Sequence, residues 1–315
     1  MNGDKQDALT RRQFGRTLAT AAVASTLHPG RQALAADPFR LNHILSSCMY
    51  GRMPLDVILP EVRKVGARQI DIWRMPHGNQ REQIDEVGLD AFAAMLKKHD
   101  VRLGISTCYP LGPFRLAQEM KFVRRFGGTM VLCGSSGPRE PKGQEAKTAI
   151  RAFLEKMKPH VAEAEKIGVT IALENHDRQL LYHPDALRYF AEFNRSKHLG
   201  IALAPHHLHK FVAEIPKLIE DLGADNLPFV YGQEHSEGIR KKAPKQVEMQ
   251  QMPGFGTLDY RPILASLKKA GFTGFFEIFM HPVPRGIPIL PTVAEVTAAI
   301  NKSRAYLDQC LREIG

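Results

Sequence analysis

Four cysteines in 315 residues, Cys48, Cys108, Cys133 and Cys310, are too few for a disulfide scaffold, and their spacing fits no zinc ribbon. Free thiols are therefore expected. The chain also lacks a Gly-x-Ser-x-Gly elbow, a P-loop and a His-Glu-x-x-His pair, which removes the best-marked hydrolase, phosphate-loop and zinc-protease classes. Nothing like Gly-x-Gly-x-x-Gly follows the first apolar run, where Ser46-Ser47-Cys48-Met49-Tyr50-Gly51 stands instead. An open doubly wound sheet with a nucleotide cofactor is thereby disfavoured. Low-complexity stretches and linkers are missing after residue 36, so one domain is expected over residues 37–315.

Residues 1–36 read as a twin-arginine signal peptide. Thr10-Arg11-Arg12-Gln13-Phe14-Gly15-Arg16 places an aromatic two positions after paired arginines. A weakly apolar run, Thr17 to Leu27, and the small-x-small triplet Ala33-Leu34-Ala35 follow in the order of a cleavable export signal. The run is too short for a membrane span, which takes roughly 20 residues. The competing reading is a plain basic tail. Export to the periplasm is the expectation, and that route carries proteins already folded, often with a metal or cofactor in place.

The formal charge is +10; residues 1–35 hold five basic and two acidic side chains, which leaves +7 for the remainder. That balance suits anionic ligands. The basic residues are spread along amphipathic segments as solvated faces, and only Arg240-Lys241-Lys242 is a compact run. A nucleic-acid partner is not expected, and a homo-oligomer is left open.

Short apolar runs alternate with amphipathic segments, the pattern of βα units around a parallel sheet. Strands are expected at 41–46, 69–73, 102–106, 130–133, 170–173, 200–203, 229–233 and 274–279. Most later runs are preceded by a basic last turn and a glycine, as in Lys166-Ile167-Gly168 and Lys269-Ala270-Gly271, a helix C-terminus followed by its cap. Eight strands in series, in a length near the roughly 250 residues of such folds, predict a (β/α)₈ TIM barrel.

Reacting groups of such barrels come from the C-terminal ends of the strands. Six of the 13 histidines, His176, His206, His207, His209, His235 and His281, follow the ends of four expected strands. Glu174 closes the apolar run Val169 to Leu173, and Glu277 interrupts Gly274 to Phe279. A carboxylate in so apolar a strand is costly unless it is paired or bound to a metal. Each glutamate therefore either meets an arginine in the barrel or serves a ligand, and together they could bind one cation and move protons. Trp73 and Arg74 follow strand 2; the tryptophan either stacks on a sugar face or packs the barrel. Asn175 is placed to orient Glu174, and His176 and His235 to contact a substrate.

Ile171-Ala172-Leu173-Glu174-Asn175-His176 resembles the strand-5 motif of the xylose-isomerase-like superfamily, the sugar isomerases and epimerases. Gly254-Phe255-Gly256-Thr257-Leu258-Asp259 resembles that family's Gly-x-Gly-x-x-Asp segment, and Glu277 falls at its strand-8 glutamate. The resemblance implies a Mn²⁺, Mg²⁺ or similar ion held by glutamate, aspartate, histidine and glutamate from strands 5, 6, 7 and 8. Carried over, the metal ligands are Glu174, His207, Gln233 and Glu277. Strand 6 departs from the pattern, with Ala204 at the aspartate and His207 kept three residues on; Gln233 stands at the strand-7 histidine. His206, His207 or Glu234 are the residues that could repair the shell, in a set suited to Zn²⁺, Mn²⁺ or Fe²⁺.

The resulting expectation is a sugar isomerase or epimerase that moves a proton beside a carbonyl through an enediolate, with Glu174 and Glu277 as the acid/base pair. A lyase or hydrolase acting on an oxidised glycoside, and a sugar-binding barrel without catalysis, are the alternatives. A DNA-repair endonuclease shares the barrel but needs more metal-binding residues than stand here.

Overall fold

A computed structural model describes residues 38–234 and 237–315; the expected signal segment and His235 lie outside them. Eight short runs rich in Ile, Leu, Val and Phe form β1 Asn42–Ser46, β2 Gln69–Trp73, β3 Arg102–Thr107, β4 Met130–Gly134, β5 Thr170–Glu174, β6 Leu199–Leu203, β7 Phe229–Gly232 and β8 Phe275–Ile278. Each pairs in parallel with the next, and β8 closes on β1 through Asn42↔Phe275 and Ile44↔Glu277. The sheet is a closed (β/α)₈ barrel, as the alternating pattern predicts. Strand bounds differ from expectation by a residue or two. Glu174 is the last residue of β5 and not the first beyond it, while Gln233 falls just outside β7.

The ring outside the barrel consists of α1 Leu55–Lys64, α2 Gln80–Val87, α3 Leu89–Lys98, α4 Ala117–Arg125, α5 Gly143–Ile167, α6 Pro184–Phe193, α7 Ile215–Leu222, α8 Lys245–Met249, α9 Arg261–Ala270 and α10 Val293–Glu313. The glycine caps do what the sequence requires of them. Gly168 and Gly271 take φ of 76° and 73°, and their N–H groups close on Ala164 and Leu267 carbonyls at the ends of α5 and α9. No described helix is long and apolar enough to cross a membrane. All four cysteines are free and buried.

With side chains alternating along each strand, one set faces the helices and the other fills the barrel. Trp73 of β2 stacks on Phe279, just past β8, at 4.9 Å between ring centroids. Asp71, two residues before Trp73, therefore shares the interior with Glu277, two residues before Phe279. One polar node sits between strands and helices instead. Glu119 on α4 is 2% exposed and receives Ser106 Oγ at 2.5 Å, Arg81 Nε at 3.1 Å and Arg74 Nη2 at 2.7 Å. It ties β3, α2 and the end of β2 to α4.

Removing one member of a buried ion cluster strands the others. Glu119→Ala should therefore lower unfolding free energy by about 3–5 kcal/mol, measured by urea denaturation. A loss below about 1 kcal/mol would show that Arg74 and Arg81 are satisfied without it.

Candidate active site

Asp71 and Glu277 are both fully buried, on strands that flank β1. Thr107 Oγ1 donates to Asp71 Oδ2 at 2.6 Å, whereas Asp71 Oδ1 and both Glu277 oxygens lack a hydrogen bond of normal geometry. Burial, and then the charge of Asp71, push the Glu277 carboxyl well above the usual range. Burial likewise raises Asp71 to about 7, opposed by its bond from Thr107. Two carboxylates this close and this dry cannot both ionise, so the pair keeps a proton at neutral pH. Sequence reasoning found Glu277 and missed Asp71, although Asp71 also interrupts an apolar run.

The second half of the mouth is built on the turns after β5 and β6. Glu174 Oε1 lies 3.8 Å from His207 Nε2 and 3.9 Å from His206 Nε2. His176 and His207 lie ring to ring, 3.8 Å between centroids. Both present Nδ1 to Asp177 Oδ1, at 3.0 and 3.2 Å. His176 Nδ1 also donates to the Asp177 backbone carbonyl at 2.7 Å. Arg240, from the compact basic run, reaches the other Asp177 oxygen. Burial lowers the His176 imidazole to about 4, partly offset by the Glu174 charge, and lowers His207 and His281 as well. Tyr109 and Tyr231 add hydroxyls 3.2 Å apart, and burial followed by the Glu174 charge raises the Tyr109 phenol.

Asn175 shapes this half through the backbone. Its side chain accepts from Ala204 N at 2.7 Å and donates to Ala204 O at 3.1 Å, locking the end of β6 from which His206 and His207 project. Trp73 is 1% exposed and packed among Phe279, His77 and Tyr109. Arg74 is engaged with Glu119 and Glu82. Gln233 donates from Nε2 to Gln251 Oε1 at 2.8 Å, and its own buried Oε1 has no partner. Glu234 is turned into the glycine-rich segment, where Leu258 N–H donates to its Oε2 at 2.8 Å, and burial lifts its carboxyl to about 7. A side chain at Gly256 would collide with that same oxygen, so the glycine is needed for a close approach.

Comparison with known proteins decides the family. The family described as "Xylose isomerase-like TIM barrel" matches residues 59–307. The chain belongs to this family. No curated protein matches the chain at a significant level. Among solved structures, the IOLI protein with a bound zinc atom aligns with a TM-score of 0.65 at 16% identity, over 87% of this chain and 99% of its own. L-ribulose 3-epimerase aligns with a TM-score of 0.63 at 17% identity, over 87% and 96%. The probable 3-DHS dehydratase AsbF from Bacillus anthracis aligns at 0.64 and 12% identity, over 84% and 99%. At these identities the likeness is one of fold.

Within this xylose isomerase-like barrel, the set aligned with the family's ligands is incomplete. Ala204 has no donor; Gln233 binds Gln251 through its nitrogen and keeps its oxygen unpartnered, and Glu277 faces Asp71. Among the described residues, Glu174, His176 and His207 instead bring donor atoms within 4.8 Å of one another. The structure thus joins two of the expected ligands, Glu174 and His207, with a residue expected to touch substrate.

The buried acid pair makes stability depend on pH. The Asp71 carboxyl rises from 3.8 unfolded to about 7 folded, so the native state binds more protons across that window and stability falls as pH rises through it. Melting temperature measured from about pH 4 to about pH 8 should drop less steeply for Asp71→Asn than for the parent. Parallel curves for the two proteins would mean that no such proton is held.

Proposed function

We propose that the barrel mouth isomerises or epimerises a sugar or related polyhydroxy compound by moving a proton next to a carbonyl through an enediolate. The observation that carries this reading is the fully buried Asp71–Glu277 pair, whose burial favours the protonated form of each carboxyl, within reach of the Glu174 charge. Enediolate chemistry needs a base at carbon and an acid at oxygen. Glu174 takes the proton from the carbon beside the carbonyl, and Glu277 gives its proton to the carbonyl oxygen. A proton then returns to the neighbouring carbon, or to the opposite face of the same carbon. Glu277 meanwhile takes back a proton from oxygen, from the neighbouring hydroxyl in isomerisation or from the former carbonyl oxygen in epimerisation. This restores a carbonyl and the Glu277 acid. The Tyr109 and Tyr231 hydroxyls are the donors available to the developing oxyanion.

Solved structures of this fold include L-ribulose 3-epimerase and D-psicose 3-epimerase, which supports the assignment to sugar chemistry. The fold-mate AsbF, a probable dehydratase, favours a lyase as the second reading, since elimination begins with the same proton abstraction. The zinc atom bound by IOLI supports a divalent ion in the site. No step here runs through the family's four-ligand arrangement, because the residues present do not fit it. The same proposal makes the substrate a small molecule and the compartment the periplasm, the latter on the paired arginines of the leader alone.

The test is solvent exchange. The protein is incubated in D₂O with a panel of ketoses and oxidised sugars, and deuterium at the carbon next to the carbonyl is read by NMR. Glu174→Gln and Glu277→Gln should each slow exchange by about 10²–10⁴-fold with a much smaller change in substrate affinity. Loss of a substituent together with exchange would select the lyase. Absence of both across the panel, or exchange indifferent to both variants, would overturn the reading.

A further inference from the structure

The geometry of the β5 and β6 turns points to a metal site of a different composition from the one that the family resemblance implies. We propose that a divalent cation of the zinc or cobalt class binds at Glu174, His176 and His207, with the Asp177 main chain orienting His176 and its carboxylate beside both rings. The proposal rests on the reading of the barrel mouth as the functional site, and concerns which residues of that site hold the ion.

The carbonyl of Asp177 can only accept, so the proton of neutral His176 sits on Nδ1 and its Nε2 carries the free lone pair. His207 turns Nδ1 to the same carboxylate, which leaves its Nε2 directed at Glu174 Oε1, 3.8 Å away. A carboxylate that fixes the far nitrogen of a ligating histidine is the usual outer support of a protein metal site. Here the Asp177 main chain fixes the far nitrogen of His176, its Oδ1 lies near both rings without a hydrogen bond of normal geometry, and Arg240 holds its other oxygen.

The donor spacing agrees. Donors at about 2.0–2.1 Å from one zinc ion stand about 3.4 Å apart in a tetrahedral shell. The three groups present donors within 4.8 Å of one another. Two imidazoles and one carboxylate suit zinc or cobalt better than Mg²⁺, which prefers oxygen. Three protein ligands leave a fourth position open, as in zinc sites that take a substrate or water oxygen. The composition also accounts for the departures elsewhere. A shell that uses His176 does not need an aspartate at Ala204, and it frees Glu277 to share its proton with Asp71.

The test uses the mature protein, stripped by chelator and titrated with Co²⁺. Visible absorbance of the bound ion and the thermal shift with Zn²⁺ are the readouts, independent of any activity. One equivalent of Co²⁺ should bind with a spectrum of low coordination number. His176→Ala should weaken binding at least about tenfold, and the size-preserving His176→Gln should do the same if the first variant folds poorly. Asp177→Asn should cost about 10–100-fold. Glu277→Gln should change affinity less than about threefold. No binding by the parent, or binding lost in Glu277→Gln and kept in both His176 variants, would overturn the proposal. Metal binding at these residues without deuterium exchange would overturn only the enediolate reading, and exchange by a parent protein that binds neither Co²⁺ nor Zn²⁺ only this one.

Discussion

A carboxyl group inside a closed parallel barrel has no water to ionise into, and this chain puts two of them against each other. Asp71 and Glu277 are carried by strands on either side of β1, and register fixes their meeting: Ser46 pairs with Asp71 and Ile44 with Glu277. Neither can move out without breaking a ladder closed on both sides. The low-energy state is one in which the pair retains a proton. A proton donor is thereby held inside the barrel.

The other half of the mouth follows from that division. With Glu277 facing Asp71, and with Ala204 and Gln233 at the family's aspartate and histidine positions, the imidazoles collect on the β5 and β6 turns beside Glu174. Asn175 makes this possible from the backbone side, because its two bonds to Ala204 fix where the segment bearing His206 and His207 leaves the barrel. The result is a family fold with its polar groups sorted into a proton-holding side and an imidazole-rich side. The family is shown over residues 59–307, and Asp71 and Asp177 add buried carboxyls to the groups that the family pattern supplies.

Much of this was legible in the sequence. Strands buried on both faces read as continuous apolar runs, and glycine caps mark their approach, so all eight strands fall within a residue or two of their expected places. Glu174 and Glu277 were visible because a carboxylate inside such a run has no cheap explanation. Asp71 carries the same signal, but Gln69 and Trp73 beside it make the run look like ordinary alternation. Asp177 was not visible, since its role depends on how a turn folds back toward two rings from different strands. Glu119 was hidden for another reason: charges on helices read as solvated faces, and nothing local shows that two arginines converge on this one. Trp73 admitted two readings in sequence, and its burial against Phe279 places it in the barrel packing.

The retained proton is the central claim, and infrared spectroscopy reads it directly. Protein labelled with ¹³C at its Asp and Glu carboxyls should show, at pH 7, the carbonyl stretch of a protonated acid. That band should lose intensity or shift in Glu277→Gln and in Asp71→Asn and persist in Glu174→Gln, with the share that belongs to Glu234 removed by Glu234→Gln. A spectrum with only ionised carboxylates at pH 7, or a protonated band unaffected by Asp71→Asn and Glu277→Gln alike, would contradict the account.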